Sequence, residues 1–421
     1  MQMKLSLSTA LVASTAMAAS SSASIPSSCT ISSNYATATA QTDLDRFSGC
    51  ETLVGNLTIT GDLGNAALAN IKKIDGSLKI FNATEMLTFA ADALDEITGD
   101  LTLQQLTFLY SVSFSSLTTI DSINLITLPA LTTFTSNLAS ANSILISDTT
   151  LGSVDGFSSL QSVKTFNINN NKMLTSISSS LKNVTDSLQL SSNGEDSVTS
   201  FDDLVWANNI TLRDAGSVSF GSLIHVNASL GFLNNTITSL NLTKLQSVGQ
   251  SFSVIANNDL VSLDCSRLTT IGGAFVVANN TALNTINGFS NVTTIGGAME
   301  FIGTFNQLDL SSLKSVKGGA DVETNATNFT CSAMDTLHSE GSIQGDLYVC
   351  KKGEVSSSTQ SGYTTLTSSK TSSAQNSGSS LGSPSSSSAS SSRSHAGAVA
   401  IASAASANIF GFVAAVALAL L

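Results

Sequence analysis

The chain has 421 residues, room for one large domain or two ordinary ones, and its 42% apolar content is enough to bury a core. Charged residues make up only 11% and the net charge is −12, which excludes the basic face that nucleic-acid binding requires. A surface so poor in charge is kept soluble by other means, and serine, threonine and asparagine, the residues that carry sugars, fill the gap.

At the start, Lys4 precedes an apolar run over 5–16, and Ala16-Met17-Ala18 has the small-x-small form of a signal-peptidase site. Residues 1–18 therefore read as a signal peptide cleaved after Ala18. Export permits disulfides, so the placement of five cysteines matters: Cys29, Cys50, Cys265, Cys331 and Cys350. Residues 19–49 read as an N-terminal cap. In it, "TDLDRFSG" (42–49) sets Leu44 and Phe47 on one helical face, with Gly49 suited to end the helix.

From 50 to 350 one pattern recurs. "GNLTI" at Gly55 returns as "GSLKI" at Gly76, "GDLTL" at Gly99, "DSLQL" at Asp186 and "GAFVV" at Gly273, among others. The first apolar residue of each unit runs from Leu57 to Leu347 in thirteen steps, a mean period of about 22. A leucine seven places before each strand and an aliphatic residue four before it lead in, as in Leu160/Val163 and Leu268/Ile271. Asparagine often follows the strand at one register: Asn171, Asn193, Asn235, Asn257 and Asn280.

A strand with two or three inward residues buries too little surface alone, so each needs neighbours above and below. The expected fold is all-β: a right-handed parallel β-helix or leucine-rich-repeat-like solenoid of fourteen turns, a rod of about 60 Å at the usual strand spacing. An antiparallel sandwich is the alternative. The asparagines at one register would stack inside the turn and satisfy backbone groups that no strand can pair.

A stack has two open edges, which invite unwanted pairing. Cys50 occupies the leucine slot seven before Leu57, so it points into the first coil and can tie the cap down through Cys29. Closing a loop of about 20 residues contributes about 3 kcal/mol. Cys331–Cys350 would seal the other end. Cys265 is left as a buried free thiol or an intermolecular partner.

Sequons stand at Asn56, Asn82, Asn183, Asn209, Asn227, Asn234, Asn241, Asn279, Asn291, Asn325 and Asn328, all inside the repeat region, which points to heavy N-glycosylation. At Asn56 and Asn209 the asparagine immediately precedes an inward residue and should face solvent; Asn234 and Asn279 adjoin the internal asparagine register. Residues 351–395 are serine- and threonine-rich, cannot form a core, and read as an O-glycosylated stalk. Residues 396–421 bring a small-residue window, a spacer and a thirteen-residue apolar end with no basic residue. That order reads as a GPI-attachment signal, with attachment at Gly397 or Ala396.

Catalytic motifs are missing from the repeat region: it holds no G-x-S-x-G, H-E-x-x-H, P-loop or Cys-x-x-Cys spacing, and its histidines are His225 and His338. No cofactor or metal is expected. The acidic candidates, Glu195-Asp196 and Asp202-Asp203, are expected in adjacent parts of one loop. A carboxylate pair in a coil-shaped fold could cleave a glycosidic bond, though acidic surface loops are the ordinary case. Trp206 beside them could stack on a sugar or fill a core slot.

With "TDLDRFSGCETLVGNLTITG" and "LTTIGGAFVVANNTALNTINGFSNVTTIGGA" in order between the two end segments, the chain resembles the fungal GPI-anchored cell-wall organisation proteins of the sporulation-specific and extracellular-mutant family. Repeats of that family look like receptor L domains. The resemblance implies a role in wall integrity and assembly at the outer face of the plasma membrane and in the wall, and supplies no catalytic residues. Expected partners are the membrane, through the GPI anchor, and cell-wall polysaccharide or mannoprotein. Three functions follow: a non-enzymatic wall-organising surface protein, a polysaccharide- or partner-binding module, and a wall-remodelling glycosidase.

Overall fold

The computed structural model describes residues 25–31 and 36–356. The expected signal peptide, all but the first six residues of the stalk, and Ala396 and Gly397 lie outside the described residues.

Successive units pair in parallel and in register, Leu57 on Leu78, Leu78 on Leu101, Leu101 on Ile123 and Ile123 on Ile144. The result is a parallel β-solenoid of about 13 turns, in which each of the fourteen sequence units supplies one core strand and several add a short lead-in strand before it. The two alternating apolar residues of each strand point inward. Leu57/Ile59, Ile123/Leu125, Phe166/Ile168, Phe252/Val254 and Met299/Phe301 are all 2% exposed or less. Burial of one such side chain stabilises by about 1.5–3 kcal/mol, but only when coils above and below close the stack.

The main sheet has 22 strands, and shorter parallel sheets such as Thr88–Ala90 with Ser111–Phe114 line another side. Between the sheets run phenylalanine stacks: Phe275 lies 4.8 Å from Phe289, 5.1 Å from Phe301 and 5.5 Å from Phe252, centroid to centroid.

From strand Leu78–Phe81 to strand Phe275–Ala278, the corner after each main strand turns on one residue in the left-handed region, repeated from coil to coil: Asn82, Gln105, Thr127, Asp148, Asn170, Ser192, Asp214, Asn234, Ala256 and Asn279, with φ between 50° and 58°. Asparagine and aspartate tolerate that conformation best, and their enrichment here follows from it. The residue after this corner points inward, which is where the asparagine register lies. Asn171, Asn193, Asn235, Asn257 and Asn280 are 4% exposed or less. Their amides do what the spacing predicts: Asn193 Nδ2 donates to Ile168 O at 2.9 Å, and Asn280 Nδ2 to Val254 O at 2.9 Å. The ladder breaks once, at Ala215, whose N–H donates to Asn235 Oδ1 at 2.9 Å.

Both ends are closed. Cys29 and Cys50 form a disulfide, as do Cys331 and Cys350. The N-terminal cap adds its own strand, Ala36–Ala38, in parallel on Leu57–Ile59. Its helix is Gln41–Asp45, shorter than the 42–49 read from the sequence, and Gly49 lies in the turn that follows. Leu44 and Phe47 are buried against the first coil. Asp43 Oδ2 accepts the N–H groups of Thr39 and Ala40 at the helix start, which holds its carboxyl below the usual range. At the other end, helix Ser332–Ser339 covers the last coil and strand Tyr348–Lys352 pairs with Ala320–Thr324, two residues beyond the boundary expected at 350. Cys265 is free and buried.

Candidate functional site

The left-handed corner runs beside an indentation of the surface. A polar groove of about 600 Å³ follows it, lined by Lys172, Glu195, Asp196, Asp214, Asn234 and Asp259 among others. Asp214 organises the corner side: Ser192 Oγ donates to its Oδ2 at 3.0 Å and Asn234 Nδ2 to its Oδ1 at 2.7 Å. The groove exists because each coil turns sharply here and sends its next residue inward, leaving short polar side chains on the rim. It carries no aromatic platform on which a sugar ring could stack, and Asn234, a sequon asparagine, sits on its edge.

The acidic residues do not converge. Strand Val198–Ser200 separates Glu195-Asp196 from Asp202-Asp203, so the single loop expected from the sequence is two separate turns. Glu195 and Asp196 line the groove, whereas Asp202 and Asp203 do not. Asp202 is a hydrogen-bond hub: its carboxylate accepts from Ser219 Oγ, from Gly221 N–H at 2.8 Å and from Ser200 Oγ at 2.9 Å. The Ser219 hydrogen bond leads in holding its pKa down, partial burial opposing. A carboxylate so held stays ionised and is unsuited to the general-acid half of glycoside cleavage. Ser200 lies on its own coil and Ser219 and Gly221 on the next, so Asp202 ties the two coils together. Among the described residues, no group of three or more His, Cys, Asp or Glu could hold a metal ion.

Trp206 is half-buried and outside the core, because the inward slot beside it is taken by Ala207. It pairs in register with Asn183 on one neighbouring strand and His225 on the other. His225 Nδ1 lies 2.9 Å from Ser247 Oγ. His338 stacks on Tyr348 at 4.2 Å, and Tyr348 Oη donates to Asp335 Oδ1 at 2.7 Å, joining the terminal helix to the last strand.

The sequon asparagines are spread over the molecule. Asn82, Asn183, Asn227, Asn234, Asn241, Asn291, Asn325 and Asn328 are exposed, and Asn56, Asn209 and Asn279 are half-buried. Asn56 and Asn209 turn their amide oxygens to the next coil, accepting from Ser77 N–H at 2.8 Å and Ser229 N–H at 3.0 Å. Asn82, Asn234 and Asn279 occupy left-handed corners, which lifts them clear of the internal register beside them.

One surface feature is not legible in the repeat pattern. Phe108 and Tyr110 are 53% and 49% exposed and flank the inward Leu109; Leu87, 42% exposed, is one coil away, its carbonyl accepting the Tyr110 N–H. The repeat needs only Leu106 and Leu109 there, so the available signal was two aromatics in slots that other turns give to polar residues.

Similar chains are fungal surface proteins. The cell wall mannoprotein PST1 of Saccharomyces cerevisiae is 54% identical over 330 residues, covering 78% of this chain and 74% of that one. The cell surface GPI-anchored protein ECM33 of Candida albicans is 35% identical over 329 residues, 77% of this chain and 79% of that one. The cell wall protein ecm33 of Schizosaccharomyces pombe is 31% identical over 332 residues, 77% of each. No family model matches the chain, and no solved structure does.

Proposed function

Because the chain belongs to the family of fungal GPI-anchored cell-surface and cell-wall proteins, we propose that it is a non-enzymatic, GPI-anchored glycoprotein that maintains wall organisation and integrity from the outer face of the plasma membrane and within the wall. Identity of 54% to a cell wall mannoprotein, across a stretch as long as the whole solenoid, is the observation that carries this reading. The surface agrees with it. Eleven sequons spread around a rod of low charge would clothe it in sugar, and such a coat suits a component of a mannoprotein layer. A stalk over 351–395 and attachment at Gly397 or Ala396 complete the proposed layout. Deletion of the gene tests it: hypersensitivity to wall-binding dyes and a disordered outer layer are expected, and normal dye resistance with normal layering would overturn it. Rescue by Asp202→Asn with Asp203→Asn at normal surface level is expected; failure of a folded, surface-displayed variant to rescue would favour the glycosidase.

A second reading has one observation in its favour. The exposed Phe108 and Tyr110 give the rod an aromatic platform of the kind that stacks on sugar rings, as in a polysaccharide-binding module. Pull-down of the purified ectodomain on insoluble glucan, chitin or mannan, lost on Phe108→Ala with Tyr110→Ala, would establish it; no retention on any of the three would dismiss it.

A further inference from the structure

The polar groove at the left-handed corner spans the break in the asparagine ladder. Along the ladder each coil donates a backbone N–H to the asparagine oxygen of the next: Thr149 to Asn171 at 3.0 Å, Asn171 to Asn193 at 3.2 Å, Ala215 to Asn235 at 2.9 Å and Asn235 to Asn257 at 3.0 Å. Asn193 faces Ala215 on the next coil, which has no amide to offer. Among the described residues the Asn193 N–H makes no hydrogen bond, and its Nδ2 donates only to Ile168 O. Asn193 is 4% exposed, so an unpaired donor is buried here, where native folds leave few. Asn193 and Asn235, on either side of the break, both line the groove.

The rim offers the opposite chemistry. Glu195 and Asp196 lie directly on the coil of the break, since a Cβ on Gly216 would stand 2.8 Å from Asp196 Cα and 2.8 Å from Glu195 O. With Asp214, Asp259 and Lys172 they surround a volume of about 600 Å³, the size of a small-molecule site. Among the described residues, Glu195, Asp196, Asp259 and Lys172 make no ion pair, and the carboxylates are not gathered as metal ligands. A ligand that suits this lining carries several hydroxyls to donate to carboxylates and a carbonyl to accept from a buried N–H. A sugar with an acetamido group has both.

One such sugar would be held here by a covalent bond. Asn234-Asn235-Thr236 is a sequon, and Asn234 is exposed, stands at a left-handed corner with φ 54° and lines the groove. N-glycosylation joins Nδ2 to the anomeric carbon of N-acetylglucosamine; one amide proton and the lipid diphosphate that carried the oligosaccharide leave. The amide keeps its second N–H, and Asn234 Nδ2 donates to Asp214 Oδ1 at 2.7 Å, which fixes the side-chain plane at the rim. From Asn234 the groove runs three coils to Lys172, about 14 Å at the usual strand spacing, and crosses the break on the way. That is room for two sugar rings in line. A tethered sugar needs no aromatic platform, because attachment gives it a high effective concentration beside weak polar contacts.

We propose that the groove is the seat of the Asn234 glycan, whose first two N-acetylglucosamine residues lie along it from Asn234 over Ala215 to Glu195 and Asp196. Their hydroxyls donate to those carboxylates, and an acetamido carbonyl, directly or through one water, accepts from the Asn193 N–H. The sugars then clamp the coils across the break. Such a seat presupposes the glycoprotein reading above and makes one glycan part of the fold rather than of the coat.

Peptide N-glycosidase acting on the purified full-length glycoprotein tests this, with release at each sequon read by mass spectrometry as conversion of the asparagine to aspartate. In the native protein the Asn234 glycan should be released at least tenfold more slowly than those on the exposed Asn82, Asn227 and Asn241, and denaturation should abolish the difference. Glu195→Ala with Asp196→Ala should speed native release at Asn234 at least fivefold and leave release at Asn82 unchanged. The comparison within the unmodified chain stands even where that variant fails to fold. Equal native rates, or protection that survives in the folded double variant, overturns the proposal. So does an empty Asn234 beside occupied neighbours, which would leave the glycoprotein reading intact; empty sequons throughout would overturn both.

Discussion

Asn257 and Asn280 share one amide oxygen: Asn280 Oδ1 accepts the backbone N–H of Asn257 at 2.9 Å and its Nδ2 at 3.1 Å. Asn257 Nδ2 also donates to Phe232 O at 3.0 Å, and Asn257 Oδ1 accepts from Asn235 on the preceding coil. Asn257 thus joins three coils at a corner where strand pairing has stopped.

Asn257→Ala leaves the Asn235 N–H and the Phe232 carbonyl buried without a side-chain partner, at a cost of about 2–4 kcal/mol. Urea unfolding of the secreted domain should show it as a lower midpoint at unchanged slope. Asn284→Ala, on the exposed surface, should shift the midpoint little.

Coils approach most closely along a column of glycines. A Cβ on Gly272 would lie 2.0 Å from Gly249 O, and one on Gly296 would lie 2.1 Å from Gly272 O. Gly272→Ala should therefore force neighbouring coils apart and cost about 2–4 kcal/mol, read as a fall in Tm. Gly64→Ala, where nothing stands within 4 Å, is the matched control and should be near neutral.

Asp321 supplies a pH dependence. Burial, with Glu323 adding to it and Lys351 opposing, raises its pKa from 3.8 to about 6. The folded state then holds a proton that the unfolded chain has released, so this group's contribution to stability is present below pH 3.8 and is lost as pH rises to about 6. Asp321→Asn should stabilise the protein by about 1–3 kcal/mol at pH 7 and by much less at pH 4. Equal effects at both pH values would show that the carboxyl is not desolvated in the fold.

Cys265 should be chemically silent. It is fully buried, and burial, with Asp264 adding to it, pushes its thiol pKa well above the usual value. Maleimide should label one thiol per chain in denaturant and none in the native protein at neutral pH. Native labelling, or a reducible dimer through Cys265, would contradict this.

The inward apolar pairs, the asparagine register and the capping cysteines were legible because each repeats at a fixed interval or stands at a break in the repeat. The cap strand Ala36–Ala38 was not, since two alanines and a threonine carry no strand signal and pair only because Leu57–Ile59 offers an edge. Helix Ser332–Ser339 offers only Met334 and Leu337 to the core, an apolar face too short to stand out in the sequence. An apolar row on the outer face of the main sheet, Leu233, Ile255, Ala278 and Ile302, was hidden for another reason: Ile255 and Ile302 follow inward residues in strands already expected to be apolar, and only three-dimensional register separates the two faces. Glu195-Asp196 and Asp202-Asp203 looked like one loop because Val198–Ser200 is short and mostly polar.

Parallel winding itself is tested by cysteine pairs on the outer face, where Thr102 and Asn124 are register partners on adjacent coils and Leu145 is the partner of Asn124 one coil further on. Thr102→Cys with Asn124→Cys should form a disulfide on mild oxidation, mapped by mass spectrometry, whereas Thr102→Cys with Leu145→Cys, about 10 Å apart, should not. Linkage of the second pair but not the first would show that the units do not stack as successive coils.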